Sequence, residues 1–482
     1  MKTVKKYQIC NNCVMDTSDP KITFDENGVC DFCNNYFKNV EPNWNPNGKG
    51  IKAIQPLIDK IKYEGRNKDH DCVIGISGGL DSSYVAYIAK VKFGLRPLMF
   101  HCDTGWNSDL GVSNIQKIIE GLDLDLVTEV VNWNEMKDMQ RAFFKSQVPF
   151  VDTPQDLALF SAMYSFADKH KFKYVITGGN ISTEVVRESI DWTYFSTDTK
   201  HAIDIHNKFG EHELKTFPMR DIFKYRIYDR FIKGMEIIKL LDYVPFIKED
   251  AKKELNSLYG WQPYQQKHYE SRFTRFFESY WTPKKHGYDK RRAYYSSEIL
   301  TGQMTRKDAI DKISKPELDE ETMKKEFEYI AKKLDFTIDE FTEIFNGENR
   351  SFRDYKNNFF WITLGARIAN LLGIDNRFKM DDVKKNELLK QIKAQINFDP
   401  YKTELSKEVI YEIYNKYFDN DVFVKLKGID DLSKKYIASG KFDYIPKENK
   451  VDYDITTYEN LLKNSSIGMD KNNNNIKNSL NN

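Results

Sequence analysis

Residues 74–83 read Ile-Gly-Ile-Ser-Gly-Gly-Leu-Asp-Ser-Ser, a glycine turn set between an apolar run and a helix-forming stretch. The approach, Cys72-Val73-Ile74-Gly75-Ile76, has the continuous apolar character of a strand buried on both faces, and Tyr84 to Ala89 continues as a helix. A turn in this position lies at a helix N-terminus. Unpaired backbone N–H groups and the positive end of the helix dipole favour an anion there, and glycine lets the backbone approach without a Cβ clash. The expected phosphate ligands are Ser77, Gly78, Gly79, Ser82 and Ser83. Asp81 repels phosphate, so its expected place is on a magnesium ion held against the phosphates. The segment lacks the Gly-x4-Gly-Lys-Ser/Thr pattern of a kinase or GTPase loop.

The segment resembles the Ser-Gly-Gly-x-Asp-Ser signature of the PP-loop ATP pyrophosphatases. That resemblance implies ATP as cofactor, cleavage between its α and β phosphates, and adenylation of a substrate oxygen. A second segment, Thr177-Gly178-Gly179-Asn180-Ile181-Ser182-Thr183-Glu184, resembles the Gly-Thr-Gly-Asn-x-Ser-Glu loop of NAD synthetase. It implies nucleotide contacts from Gly178, Gly179 and Asn180 and a second Mg2+ carboxylate at Glu184. Gly178-Gly179 departs from Gly-Thr-Gly and loses a hydroxyl. Asp103, after the second expected strand, is read as orienting the ribose or its loop.

Four of the six cysteines fall in one place, Cys10-Asn-Asn-Cys13 and Cys30-Asp-Phe-Cys33, with sixteen residues between. Two such knuckles are the ligand pattern of a structural Zn2+ ribbon, whose four thiolates close a tetrahedron and leave no open position. An iron–sulfur cluster and a disulfide pair remain alternatives. Cys72 and Cys102, in or beside strands, read as buried structural thiols.

Strand signals at Leu98–Cys102, Leu126–Val131 and Tyr174–Thr177 alternate with helical stretches. The expected fold class is α/β, a doubly wound parallel sheet of the PP-loop, adenine nucleotide alpha hydrolase-like kind. It carries an N-terminal zinc ribbon and a mainly helical C-terminal part. The expected division is 1–48 for the zinc ribbon, 49–215 for ATP binding, 216–355 for substrate, 356–462 for further helices and 463–482 for a disordered tail. Leu318 to Phe345 has helical periodicity, and Asp381 to Lys450 adds expected helices. Phe359 to Ile374 is the longest apolar stretch, but Arg367 and Asn370 interrupt it, and it reads as a core helix rather than a membrane span. Lys and Arg number 73 against 72 Asp and Glu, so no basic excess advertises nucleic acid. No apolar leader is evident at the start, and a cytoplasmic enzyme is expected. His201, His206 and His212 read as surface or loop residues.

The block from Gly260 to Arg306 narrows the substrate. With the four-cysteine start and the phosphate loop, it resembles the N-acetyl sugar amidotransferases of bacterial surface-polysaccharide and flagellar-glycan biosynthesis, over roughly residues 5–355. The resemblance implies conversion of a sugar acetamido group to an acetamidino group, on a free or nucleotide-linked sugar. It also implies partners similar to the glutaminase and ammonia-conducting cyclase subunits of imidazole glycerol phosphate synthase, since no glutaminase nucleophile occurs in this chain. Asp81, Lys267 and Arg272 are the expected catalytic residues. Tyr269, Arg275, Arg291 and Arg292 are expected to bind substrate, with Lys290 as a further cation. Tyr264, Trp281 and Tyr288 offer rings for a sugar face. A tRNA-modifying enzyme of the same superfamily is the alternative, and a zinc-bearing scaffold with a regulatory nucleotide site is a third reading.

Overall fold

The computed structural model describes residues 6–371. Five parallel strands form its sheet: β1 (Cys72–Gly75), β2 (Pro97–Asp103), β3 (Leu126–Val130), β4 (Tyr174–Thr177) and β5 (Glu236–Lys239). Their order is β3-β2-β1-β4-β5. The chain builds outward from β1 in one direction and then, at β4, in the other. The switch therefore falls between β1 and β4, where Val73 pairs with Val175 and Ile74 with Ile176. Ligands of open α/β sheets bind outside the carboxyl ends of the strands at such a point.

Alternation along β1 sends Cys72 and Ile74 into one apolar layer and Val73 into the other, which is why the strand is apolar throughout. The first layer packs against the helices Gly48–Gly65, Leu80–Tyr87, Asp109–Leu122 and Lys248–Tyr259. The second packs against Trp133–Ser146, Thr153–Lys169 and Thr199–Phe209. β5 is not among the strands the sequence predicts. It is an edge strand of four residues, Glu-Ile-Ile-Lys, with only Ile238 buried, too short and too polar to signal itself.

A third apolar cluster gathers Phe273, Phe276, Phe277 and Trp281 around Trp106 and Phe144, with Ile330 and Phe341 from the helices Glu320–Lys333 and Ile338–Asn346. These two helices divide the stretch read as periodic from Leu318 to Phe345. The four cysteines pack with Val186, Ala293 and Leu300, so the knuckle sits on the helix Arg291–Leu300. The apolar stretch from Phe359 forms a helix to Leu371, with Ile362 and Leu364 buried and Phe360 exposed. Among the described residues, no helix is long and apolar enough to cross a membrane. The rest of the expected 356–462 region and the 463–482 tail lie outside the described residues. The histidine reading needs correction. His201 and His206 are buried, the first among the rings of Phe143, Tyr194 and Tyr355, the second against Asp138 at 2.8 Å. His212 is exposed.

Candidate active site and metal knuckle

The turn after β1 is held by its own side chains and by a segment almost two hundred residues away. Gly78 takes φ +82°, a conformation costly for any residue with a Cβ, and a Cβ there would lie 2.4 Å from the Gly111 carbonyl oxygen. Trp261 Nε1 and Tyr264 Oη both donate to the Gly78 carbonyl, at 3.0 and 3.2 Å, and so fix the turn. Tyr264 thereby buttresses the loop. Ser77 and Ser82 lie with their hydroxyl oxygens 3.2 Å apart, and the Ser77 hydroxyl donates to Glu270 Oε1 at 2.9 Å. A Cβ on Gly79 would come within 2.5 Å of that same carboxylate oxygen. The loop thus already cradles one anionic group, Glu270, whose carboxyl burial pushes above its ordinary value. Ser83 Oγ is buried without a hydrogen-bond partner. A cradle of glycines with an orphaned hydroxyl fits an anion such as the ATP triphosphate, which the Glu270 carboxylate beside it opposes.

The loop after β4 closes the other side. A Cβ on Gly178 would lie 2.9 Å from the Asp81 carbonyl carbon and the Ser82 nitrogen, so glycine is what allows the two loops to touch. Asn180 caps the short helix Ile181–Glu184 by accepting from Thr183 N at 2.9 Å, and Gly179 lies near Glu184 and Lys239. Between the loops sits Lys267, whose Nζ donates to Asp81 Oδ2 at 2.7 Å, Glu184 Oε1 at 2.8 Å and Thr183 Oγ1 at 3.0 Å. Burial raises the Asp81 carboxyl. Burial also opposes the Glu184 carboxylate, but the Lys267 charge outweighs it and holds that group down at about 2. Two carboxylates on one ammonium leave a net negative charge beside the phosphate cradle, a donor set suited to Mg2+. Asp103 lies at the end of β2 and accepts from Gly105 N at 2.8 Å, which makes it the organiser of its own turn.

The expected substrate arginines are elsewhere engaged. Arg272 is gripped bidentately by Glu326, at 3.0 Å to each oxygen, and its guanidinium lies 3.4 Å from the Tyr329 ring centroid. Arg275 shares Glu326 at 2.6 Å and lies over Tyr269, itself buried. Arg291 pairs with Asp289 and donates to the carbonyls of Lys312, Ile313 and Lys315, closing the end of the helix Arg306–Ile313. Arg292 joins Asp16 at 2.9 Å and the Val14 carbonyl at 2.8 Å, tying the knuckle to its helix. Trp281 is fully buried in the third cluster. In this structure these residues carry ion pairs and packing. A run of charge gives no hint of its partners, and Glu326, Asp16 and Lys312 lie far away in sequence.

The four cysteine sulfurs all lie within 4.8 Å of one another, with Cys10–Cys33 at 3.8 Å and Cys13–Cys30 and Cys30–Cys33 at 3.6 Å. A tetrahedron with metal–sulfur bonds of about 2.3 Å has edges of about 3.8 Å, so the set fits one four-coordinate ion. A cubane cluster, which binds each cysteine to a different iron, needs a wider set. Backbone N–H groups of Asn12, Cys13 and Cys30 point at Cys10 Sγ from 3.2 to 3.4 Å, and Arg306 binds the Cys10 and Cys13 carbonyls. Both favour thiolates held in place. Cys72 and Cys102 are buried, as read from sequence.

Fold and site define a doubly wound α/β protein with an anion-cradling loop at its switch point and a four-thiol metal knuckle. Residues 270–368 match the family model described as the C-terminal domain of WbpG-like LPS biosynthesis proteins. An uncharacterized protein of Methanocaldococcus jannaschii is 23% identical over 267 residues, which cover 51% of this chain and 92% of that protein. Among solved structures, the NH3-dependent NAD synthetase of Campylobacter jejuni aligns over 56% of this chain and 99% of its own, at 15% identity and a TM-score of 0.24. The U34-tRNA thiolase NcsA of Methanococcus maripaludis, with its 4Fe–4S cluster, aligns over 65% and 91%, at 12% identity and a TM-score of 0.28. Similarity at this level assigns no residue a role.

Sequence reasoning missed Glu270, Trp261 and the binding of Tyr264 to the loop. No local pattern marks them. Their partners at 77 and 78 are set by the fold.

Proposed function

We propose that the chain is an ATP-dependent, AMP-forming amidotransferase that converts an acetamido group of a bacterial surface-glycan sugar to an acetamidino group. The observation that carries this reading is the join at Lys267 to Glu270. There the phosphate loop and its two carboxylates meet the start of the stretch that matches WbpG-like LPS biosynthesis proteins. The match extends to this chain the biosynthetic setting in that family's name, and the loop extends to it the use of ATP.

An amide carbonyl is a poor electrophile, and ammonia cannot expel hydroxide from it. Bonding of the amide oxygen to the α-phosphorus expels pyrophosphate and makes AMP the leaving group. Attack of ammonia on the carbon, with loss of AMP and a proton, then gives the amidine. In this reading Ser77, Gly78, Gly79, Ser82 and Ser83 hold the phosphates, while Gly178, Gly179 and Asn180 shape the facing loop. Asp103 orders the turn nearest the ribose. Asp81 and Glu184 would hold Mg2+, which when bound neutralises charge on the triphosphate. Lys267 positions the two carboxylates and keeps a positive charge within reach of the departing pyrophosphate. Zn2+ on Cys10, Cys13, Cys30 and Cys33 has a structural role only. Ammonia comes from glutaminase and cyclase-like partner subunits.

The test is mass spectrometry of sugar panels incubated with ATP and 15N-ammonium, beside parallel reactions with tRNA. Label in an acetamidino sugar, with AMP and pyrophosphate formed in step, is the expected result. Pyrophosphate release that requires tRNA, with no labelled sugar, would transfer the chain to the tRNA-modifying enzymes.

A further inference from the structure

Beyond Lys267 lies a second polar cluster that the nucleotide chemistry leaves unused. Lys290 Nζ is 3.1 Å from Glu188 and 3.7 Å from Glu278, and the Tyr294 hydroxyl donates to Glu278 at 2.7 Å. Side-chain exposures of 8% for Lys290, 10% for Glu278 and 12% for Glu188 make this an interior site. It abuts the metal carboxylates, because the Tyr294 ring has Lys267 Nζ 5.9 Å from its centroid. Tyr294 therefore forms a wall common to both sites.

One side of the cluster carries polar groups with nothing to bind. Trp192 stacks on Tyr288, with centroids 5.0 Å apart and planes 11° from parallel, and meets His286 edge-on at 6.3 Å. The Tyr288 hydroxyl, the Trp192 indole nitrogen and His286 Nε2 are all buried without a hydrogen-bond partner. Tyr288 is 1% exposed, and its hydroxyl lies in the field of Glu188 and Asp19. A buried polar group left unmade costs on the order of 1–3 kcal/mol, so three in one stack offer a ligand polar groups to satisfy. Glu278 is also pushed up to about 8 by burial, against the pull of Lys290, which marks a carboxyl poorly compensated by the protein itself.

We propose that the cluster of Glu188, Glu278, Tyr288, Lys290, Tyr294 and Trp192 forms a chamber for the acceptor: a hydroxyl-rich ring bearing an acetamido group. The proposal rests on the amidotransferase reading and names the place where its substrate binds. The Glu188 carboxylate accepts from vicinal hydroxyls, the Glu278 carboxyl, protonated near neutral pH, both donates and accepts, the lysine donates to ring or carbonyl oxygens, and the tyrosine hydroxyl and indole N–H complete the set. The shared wall brings the acetamido oxygen toward the phosphate cradle, while the sugar ring stays on the Trp192 side. No arginine of the Arg272–Arg292 stretch is needed.

The experiment uses the full chain with Mg2+, ATP and ammonium, and compares wild type with Tyr288→Phe and Trp192→Phe. Free and nucleotide-linked acetamido sugars are run in parallel to tell the carrier. Tyr288→Phe removes only a hydroxyl with no protein partner, so its thermal stability should be unchanged or raised, whereas Trp192→Phe also gives up stacking on Tyr288 and should melt somewhat lower. The sugar KM should rise about three- to tenfold for each hydrogen bond lost, with the ATP KM unchanged. Wild-type sugar KM in both folded variants, alongside normal wild-type turnover, would overturn the chamber and leave the function standing. If no acetamido sugar is turned over or bound by the wild type, the amidotransferase reading falls and the chamber's assignment with it.

Discussion

The knuckle takes its four sulfurs from 24 residues of chain, Cys10 to Cys33, and its geometry is complete within that stretch. The phosphate site takes its loop from 77–83 and completes it with Glu270, 193 positions from Ser77, and Lys267, 186 positions from Asp81. The knuckle's donors are spent on one another and on a single closed centre. The loop holds groups in reserve, with an orphaned serine hydroxyl and two carboxylates on one lysine. In the proposed function the closed local centre serves stability, and the open centre assembled from distant segments serves chemistry. Exchanging the readouts of the two sites would break that contrast.

The largest effect is expected at the knuckle. Cys30→Ser should lower stability by several kcal/mol and loosen the helix Arg291–Leu300, because metal binding and folding share one free energy. Thermal denaturation with and without chelator checks this. A stable variant that loses only turnover would move the cysteines into the chemistry.

Asp81→Asn should abolish magnesium-dependent pyrophosphate release by roughly a hundredfold or more while the melting temperature stays near wild type. Lys267 retains Glu184 and Thr183, so no ammonium is stranded. Turnover close to wild type at limiting magnesium would remove Asp81 from the metal.

His201 belongs to neither centre and offers a control. Burial lowers its pKa from 6.5 to about 4, and neither ring nitrogen has a hydrogen-bond partner. The folded state resists protonation more than the unfolded state, so this residue favours unfolding as pH falls from about 6.5 toward 4. The loss approaches roughly 3 kcal/mol at the acid end, from about 1.4 kcal/mol per pKa unit. His201→Phe should flatten the acid limb of the stability profile, and an unchanged limb would contradict the assignment.

Glu270→Gln gives the smallest effect. Gln keeps an acceptor for Ser77 and removes a negative charge from the cradle, so the ATP KM should fall a few-fold. A rise would mean that the carboxylate assists nucleotide binding.

The same contrast decides what the sequence could reveal. The four cysteines and the Ser-Gly-Gly-x-Asp-Ser turn are local chemistry, where spacing dictates geometry, and the first four strands in chain order announce themselves by apolar and β-branched residues. β5 does not, because an edge strand of Glu-Ile-Ile-Lys buries one side chain. Charge identity does not disclose charge partners. Arg272 and Arg275 look like oxyanion ligands until Glu326 is folded against them, and Arg292 until Asp16 is. Lys267 was expected at the reaction centre, but its hold on both Asp81 and Glu184 needs the topology that brings β1 beside β4.

Oxygen-18 in the acetamido carbonyl of the sugar follows the claimed bond directly. Transfer of that oxygen to phosphorus places the label in AMP, one atom per acetamidino group formed, and none in pyrophosphate. AMP free of label, with the oxygen retained on the sugar or lost to water, would contradict adenylation of the amide.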